Sequence, residues 1–300
     1  MPTDTVRYSV LGPIRAWRAG AEIDLGSPQQ RTLLAVLLLH EGAVVESGAL
    51  LRAIWGENRP STAATVARTY VSRLRQVLAE PRLVPGARIR SAGGGYALAV
   101  PEDALDVTRF RRYAARGAEA SGRGDFAGAA THLSAALALR HGPPLAGAAG
   151  PYAEAQRSRL HELIRTTELD LLTAELAMGS HRAILADLAA KVAEHPLWEP
   201  LHELFMTALY RSGRQADALA HYQWARRRLV DELGVEPGTR LRELHRRILL
   251  GHPAVDAVAA DTNRHINSDT ALRTRTADLS WNTQVAVGRG FSPTAAWWAR

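Results

Sequence analysis

Between Pro60 and Val100 the chain gathers side chains that hydrogen-bond phosphates and base edges. Thr62, Thr65, Arg68, Thr69, Ser72, Arg73, Arg75 and Gln76 fall within one short segment, and Arg88, Arg90 and Gly94 follow in the stretch RIRSAGGGYALAV. Hydroxyl, amide and guanidinium groups contact phosphate oxygens, and Arg and Gln can also read a base edge through two hydrogen bonds at once. From Arg59 to Arg90 seven arginines (Arg59, Arg68, Arg73, Arg75, Arg82, Arg88, Arg90) stand against a single acid, Glu80. Clustered charge of this kind attracts a polyanion, whereas the same charge dispersed over a surface says little.

The elements that must hold these groups follow from periodicity. Val66, Tyr70, Val71, Leu74, Val77 and Leu78 recur every three or four residues, which predicts a helix from Thr62 to about Ala79 with one buried stripe, capped by Ser61 and stopped by Pro81. The polar residues then occupy the opposite face. In the hairpin that follows, Ile89, Tyr96 and Leu98 are expected to face inward, Arg88 and Arg90 outward, and the three glycines Gly93, Gly94 and Gly95 to make the turn.

Upstream, Val6 to Leu25 reads as three short strands with turns at Gly12-Pro13 and Ala19-Gly20. The segment SPQQRTLLAVLLLHEG opens a helix: Ser27 and Gln30 have capping-box spacing, Pro28 takes the first helical position and Gly42 follows the end. A second helix runs from about Gly48 to Trp55. Three strands, three helices and a hairpin are the layout of a winged-helix domain behind a small sheet, here residues 1–101. Its third helix would enter the major groove and its hairpin would form the wing. Helix N-termini favour phosphate, which makes Gln30-Arg31 and Thr62 to Thr65 candidate backbone anchors. Trp55 and Tyr70 read as packing residues.

Across its 300 residues the chain has a formal charge of +7 and a pI near 10.3, and Lys191 is its one lysine. An arginine-for-lysine bias this strong discounts the choice of arginine at any one position. The chain has no cysteine, which excludes disulfides and thiolate metal sites. No apolar run follows a basic patch at the N-terminus, and Leu33 to Leu39, the longest apolar run, is far too short to span a bilayer. The expectation is a soluble, cytoplasmic protein with no membrane contact.

After Pro101 the pattern becomes helical throughout, and residues 102–250 repeat. Gly124, Ala129, Leu133 and Ala136 share their spacing with Gly213, Ala218, Tyr222 and Ala225, and Gly179, Ile184 and Leu188 repeat the first three positions. Gly179 and Gly213 lie about 34 residues apart, the tetratricopeptide period. An extra helix from Pro151 to Met178 separates the first unit from the second. The fold class is therefore an α+β winged-helix domain followed by an all-α tetratricopeptide-like array, whose concave surface suits protein partners. Residues 251–300 lose periodicity and are expected to be a disordered tail.

Fragments that imitate catalytic motifs fail on inspection. In His161-Glu162-Leu163-Ile164-Arg165 an arginine stands where the second zinc ligand belongs, His202 to Met206 fails in the same way, and both read as exposed helix faces. The glycine triplet lacks the lysine and helix of a phosphate loop. No metal, cofactor or catalytic residue is indicated, so the chain does not read as an enzyme. A repressor or architectural DNA binder, and an adaptor that binds an acidic protein, remain alternatives.

Five segments carry a resemblance. VLGPIRAW, LGSPQQRTLLAVLLLHEGAVV, LLRAIWGENRPSTAATVARTYVSRLRQVL and GGGYAL resemble the N-terminal domain of the Streptomyces antibiotic regulatory protein family, and HPLWEPLHELFMTALYRSGRQADALAHYQWARRRLVDELGVEPGTRLRELHRRIL resembles the bacterial transcriptional activation domain that follows it. The likeness covers Val6 to Leu250. It implies an activator that binds direct repeats of double-stranded promoter DNA beside the −35 element, as side-by-side protomers forming a homodimer on DNA. It further implies recruitment of RNA polymerase through its sigma and alpha subunits, commonly at antibiotic and other secondary-metabolite gene clusters. By position, Arg68, Thr69, Ser72 and Arg75 fall on the groove-facing side of the third helix, and Arg88, Arg90 and Gly94 in the wing. Larger relatives add an ATPase domain and sensor repeats; the missing lysine-bearing phosphate loop implies neither here.

Overall fold

The computed structural model describes residues 5–79 and 88–251. The expected stop at Pro81 and the expected disordered tail from His252 onward lie outside the described residues. The N-terminal sheet is β1 (Arg7–Ser9), β2 (Arg15–Arg18) and β3 (Ala21–Glu22), antiparallel in that order, with Tyr8 opposite Ala16. The third strand ends at Glu22, short of Leu25. Helix α1 (Pro28–Leu39) has the full capping box at Ser27 and Gln30. It leads through β4 (Val45–Glu46) into α2 (Ser47–Trp55), then α3 (Ala63–Leu78) and the hairpin β5 (Ile89–Ala92) and β6 (Gly95–Leu98).

Two details of α3 differ from the sequence reading. Its N-cap is Thr62, and that side chain makes no capping hydrogen bond, so Ser61 is not the cap. The buried stripe is Ala63, Ala67, Val71, Leu74 and Leu78, while Val66, Tyr70 and Val77 are half-buried at its margins. Ala63 and Ala67 thus take the places expected for Val66 and Tyr70, beside the fully buried Val71 and Leu74.

The strand β4 was not legible as a strand. It pairs antiparallel with β6, making a three-stranded sheet in the order β4-β6-β5. A Cβ at Gly95 would collide with the Val45 carbonyl oxygen, so only glycine lets the two strands meet there.

A short 3₁₀ turn (Glu102–Ala104) leads into the array: α4 (Asp106–Gly122), α5 (Phe126–Leu137), α6 (Pro151–Ala177), α7 (Leu185–Glu194), α8 (Glu199–Arg211), α9 (Gln215–Leu233) and α10 (Thr239–Leu249). The repeated small residues are core: Ala129, Ala136, Ala218 and Ala225 are fully buried, and Gly124, Gly179 and Gly213 sit in the turns after α4, α6 and α8. Met206, Leu209, Tyr222, Leu241, Leu244 and Ile248 form one apolar cluster joining α8, α9 and α10. His202 departs from the sequence reading. It is fully buried in α8, donates Nε2–H to the Pro196 carbonyl at 3.0 Å and presents Nδ1 to His221 Nε2 at 3.0 Å.

The two halves are laced together. Asp106 starts α4 and is 7% exposed; its carboxylate accepts from the Ser9 hydroxyl at 2.8 Å and from the Val10 and Leu11 amides at 2.9 Å each. Burial pushes its carboxyl up, against the pull of these hydrogen bonds and one from the Val107 amide. The loop between α5 and α6 adds His141 N–H to the Leu11 carbonyl, Leu145 N–H to the Val10 carbonyl and Ile14 N–H to the Ala146 carbonyl. On α1, the Thr32 hydroxyl donates to the Ala149 carbonyl at 2.7 Å and accepts from the Ala149 amide at 3.0 Å.

Asp106→Ala strands the Ser9 hydroxyl and two buried amides, so it is expected to lower unfolding stability by about 3 kcal/mol, read from urea transitions. A second outcome concerns pH. Burial, with His202 beside it, pulls His221 down to about 4, below the ordinary histidine value of about 6.5. The unfolded chain therefore takes up that proton first, and stability falls as pH drops from about 6.5 toward 4, with no change from this group above that window. His221→Phe is expected to shrink the difference between urea midpoints at pH 7.5 and pH 5.

Candidate nucleic-acid interface

Helix α3 presents an exposed face free of acidic residues. Thr65, Thr69, Ser72 and Gln76, spaced by three or four, lie directly opposite the buried stripe, and all are exposed. Arg68 and Arg73 are also exposed, on opposite flanks of that row, and Thr62 is exposed at the helix start. The Thr69 hydroxyl donates back to the Thr65 carbonyl at 3.1 Å, a bond it can exchange for an outside acceptor.

Three contacts fix how α3 stands. The Tyr70 hydroxyl donates to Gln29 Oε1 of α1 at 2.8 Å, and its ring stacks on Trp55 of α2 with centroids 6.4 Å apart, which accounts for both aromatics as packing groups. From the N-terminal sheet, Arg18 Nη2 donates to the Val77 carbonyl at 3.0 Å. A cation on the last carbonyls of a helix satisfies an orphan acceptor and complements the helix dipole.

The hairpin is joined to α3 by Arg75. Its Nε donates to the Ile89 carbonyl at 2.9 Å, its Nη2 to Ser91 Oγ at 2.8 Å, and the guanidinium lies 5.9 Å from the Tyr96 ring centre. Two of its N–H donors are thus engaged on the wing, while the residue itself is exposed. The wing turn is held from the other side by Ser47, whose hydroxyl donates to the Gly94 carbonyl at 2.6 Å. Ile89 and Leu98 are buried, Tyr96 is half-buried, and Arg88, Arg90 and Gly94 are exposed.

Of the two residues expected to anchor the DNA backbone beside Ser27, Gln30 belongs to the scaffold instead. Gln30 is 5% exposed, with Oε1 facing the Ser27 amide and its own amide donating to Ser27 Oγ, so the capping box consumes it. Arg31 is half-buried and leans on Gly147 in the loop before α6, where a Cβ would come within 2.9 Å of Nη1. The cap motif and the anchor assignment competed for the same residue, and the cap won. Conversely, Arg18 and Ser47 were missed, because nothing in their local sequence distinguishes them.

Residues 20–98 match the family profile described as transcriptional regulatory protein, C terminal, and residues 105–249 match the bacterial transcriptional activator domain. The regulatory protein DnrI of Streptomyces peucetius is 34% identical over 261 residues, covering 84% of this chain and 94% of DnrI. This chain belongs to the Streptomyces antibiotic regulatory protein family. Within the family, AfsR of Streptomyces coelicolor is 47% identical over 260 residues, or 86% of this chain; the chain spans 25% of AfsR. The solved structure of Mycobacterium tuberculosis EmbR in complex with a low affinity phosphopeptide superposes with a TM-score of 0.83 at 35% identity, covering 90% of this chain and 72% of that one. The family consists of DNA-binding transcriptional regulators, which places the acid-free face of α3 and the wing in a family context. Among the described residues no helix is long and apolar enough to cross a membrane.

If Arg75 braces the wing, Arg75→Ala is expected to raise amide hydrogen exchange in β5 and β6 while leaving α3 protected, and Arg75→Lys, which cannot span both acceptors, is expected to restore little of that protection.

Proposed function

We propose that this chain is a transcriptional activator that binds direct repeats next to a promoter −35 element and recruits RNA polymerase, in the service of a secondary-metabolite gene cluster. The observation that carries this reading is the exposed, acid-free face of α3 with a basic wing clamped beside it. Ser72, Thr69, Thr65 and Gln76 are assigned to the major groove, with Arg68 at its edge. Arg73, Thr62 and the wing residues Arg88, Arg90 and Gly94 are assigned to the phosphate backbone and the adjacent groove. Arg75 positions the wing, and Gln30 belongs to the scaffold.

The array formed by α4 to α10 is assigned to polymerase contact through the sigma and alpha subunits, and two protomers are taken to sit side by side on the repeats. The regulators DnrI and AfsR come from Streptomyces, and membership of the Streptomyces antibiotic regulatory protein family supports the pathway class. A cytoplasmic location accords with this work.

The test is a footprint on intergenic DNA at rising salt, followed by transcription with purified polymerase. Protection of two repeats on one face of the duplex and increased transcript are expected; protection that vanishes uniformly with salt, or a fall in transcript, would count against the reading. Within a protected site, Arg68→Ala is expected to cost about 1–3 kcal/mol and to relax preference at one base position. Arg73→Ala is expected to weaken all sequences alike and to make the salt slope shallower.

A further inference from the structure

The seam between the two halves contains a cleft of about 510 Å³ that the DNA-facing surface does not use. One wall is the N-terminal sheet. Arg7 of β1 sits directly opposite Trp17 of β2, so the two side chains share one face of the sheet, and both line the cleft. The other wall is the 3₁₀ turn, the start of α4 and the segment after α5, contributing Ala104, Arg109, Leu139 and His141. A volume of this size is in the range of small-molecule sites.

Four formal charges line the cleft, Arg7 and Arg109 against Asp103 and Asp106, and both acids have partners of their own. Asp106 is spent on Ser9, Val10 and Leu11, and Asp103 is paired with Arg112. Among the described residues neither Arg7 nor Arg109 makes a salt bridge. Arg109 lies one turn along α4 from Asp106 and lines the same cleft, where its charge also helps to lower the Asp103 carboxyl. Two guanidinium groups from opposite walls suit a planar carboxylate, and the Trp17 indole with Leu139 supplies an apolar wall for a ring.

We propose that this cleft is an effector site for a small aromatic carboxylate, held with its ring against Trp17 and its carboxylate between Arg7 and Arg109. The regulatory meaning of the site rests on the DNA-binding reading; the binding itself does not. Because its walls come from both halves, an occupant adds its binding energy to the seam, and the folded chain becomes more stable as occupancy rises.

The test is calorimetric titration of the full chain, without DNA, using 2-naphthoate, its uncharged analogue 2-naphthamide, and inorganic phosphate. The expected result is one saturable naphthoate site per chain, weakened about tenfold or more by either Arg7→Ala or Arg109→Ala, with no heat from the amide and a melting temperature that rises with naphthoate. The two substitutions lie on different elements, so loss of binding by both with unchanged circular dichroism cannot be assigned to unfolding. No saturable heat, indifference to both substitutions, or equal binding of the amide would overturn the proposal. Displacement of naphthoate by phosphate at equal concentration would overturn it as well, since the aromatic wall would then contribute nothing. With no DNA present, failure here leaves the promoter-binding reading standing, and a failed footprint leaves the cleft standing.

Discussion

A buried carboxylate that three backbone and hydroxyl donors of the N-terminal sheet require is the constraint on which the arrangement depends. Without Asp106, the chain leaving β1 would bring the Val10 and Leu11 amides and the Ser9 hydroxyl into the interior with no acceptor. Buried donors are costly to leave unmade, so the end of β1 can sit only against the first turn of α4. The strand that is fixed in this way pairs with β2, and β2 carries Arg18 to the C-terminal carbonyls of α3. Orientation therefore passes from the helical array through a sheet edge to the helix that faces outward. The Thr32–Ala149 pair repeats the connection on the other side of α1.

The arginines around α3 divide by what their donors already do. Arg18 and Arg75 have acceptors inside the protein, Arg18 at the helix end and Arg75 on the wing. Arg68, Arg73, Arg88 and Arg90 are exposed. A charge count over the segment treats all of them alike. The geometry separates those that shape the surface from those that remain available to a partner.

This division explains what the sequence could and could not disclose. Helix α1 was legible from its capping box because the cap is local, and the array was legible because Ala129, Ala218 and their counterparts recur at a fixed spacing. The face of α3 was legible from its period, although Ala63 and Ala67 rather than Val66 and Tyr70 join Val71 and Leu74 in the buried stripe, since propensity and size do not say which apolar residue meets a close neighbour. Strand β4 was not legible: two residues carry no alternation, and its existence depends on Gly95, distant in the chain. The roles of Asp106 and Arg75 depend on partners that are likewise remote in sequence, as does the burial of His202, whose neighbours Glu203 and Phe205 suggested only an ordinary helix face.

The wing also has a bearing on how such proteins can be recombined. Its turn is held by Ser47, its middle strand by Val45 and Glu46, and its first strand by Arg75. A hairpin moved alone into a relative would leave behind every one of these supports. The natural unit of exchange is discontinuous: residues 45–47, the last turns of α3 and the hairpin itself travel together or not at all. Chimeras cut at the ends of the hairpin would inherit the recipient's geometry for the wing.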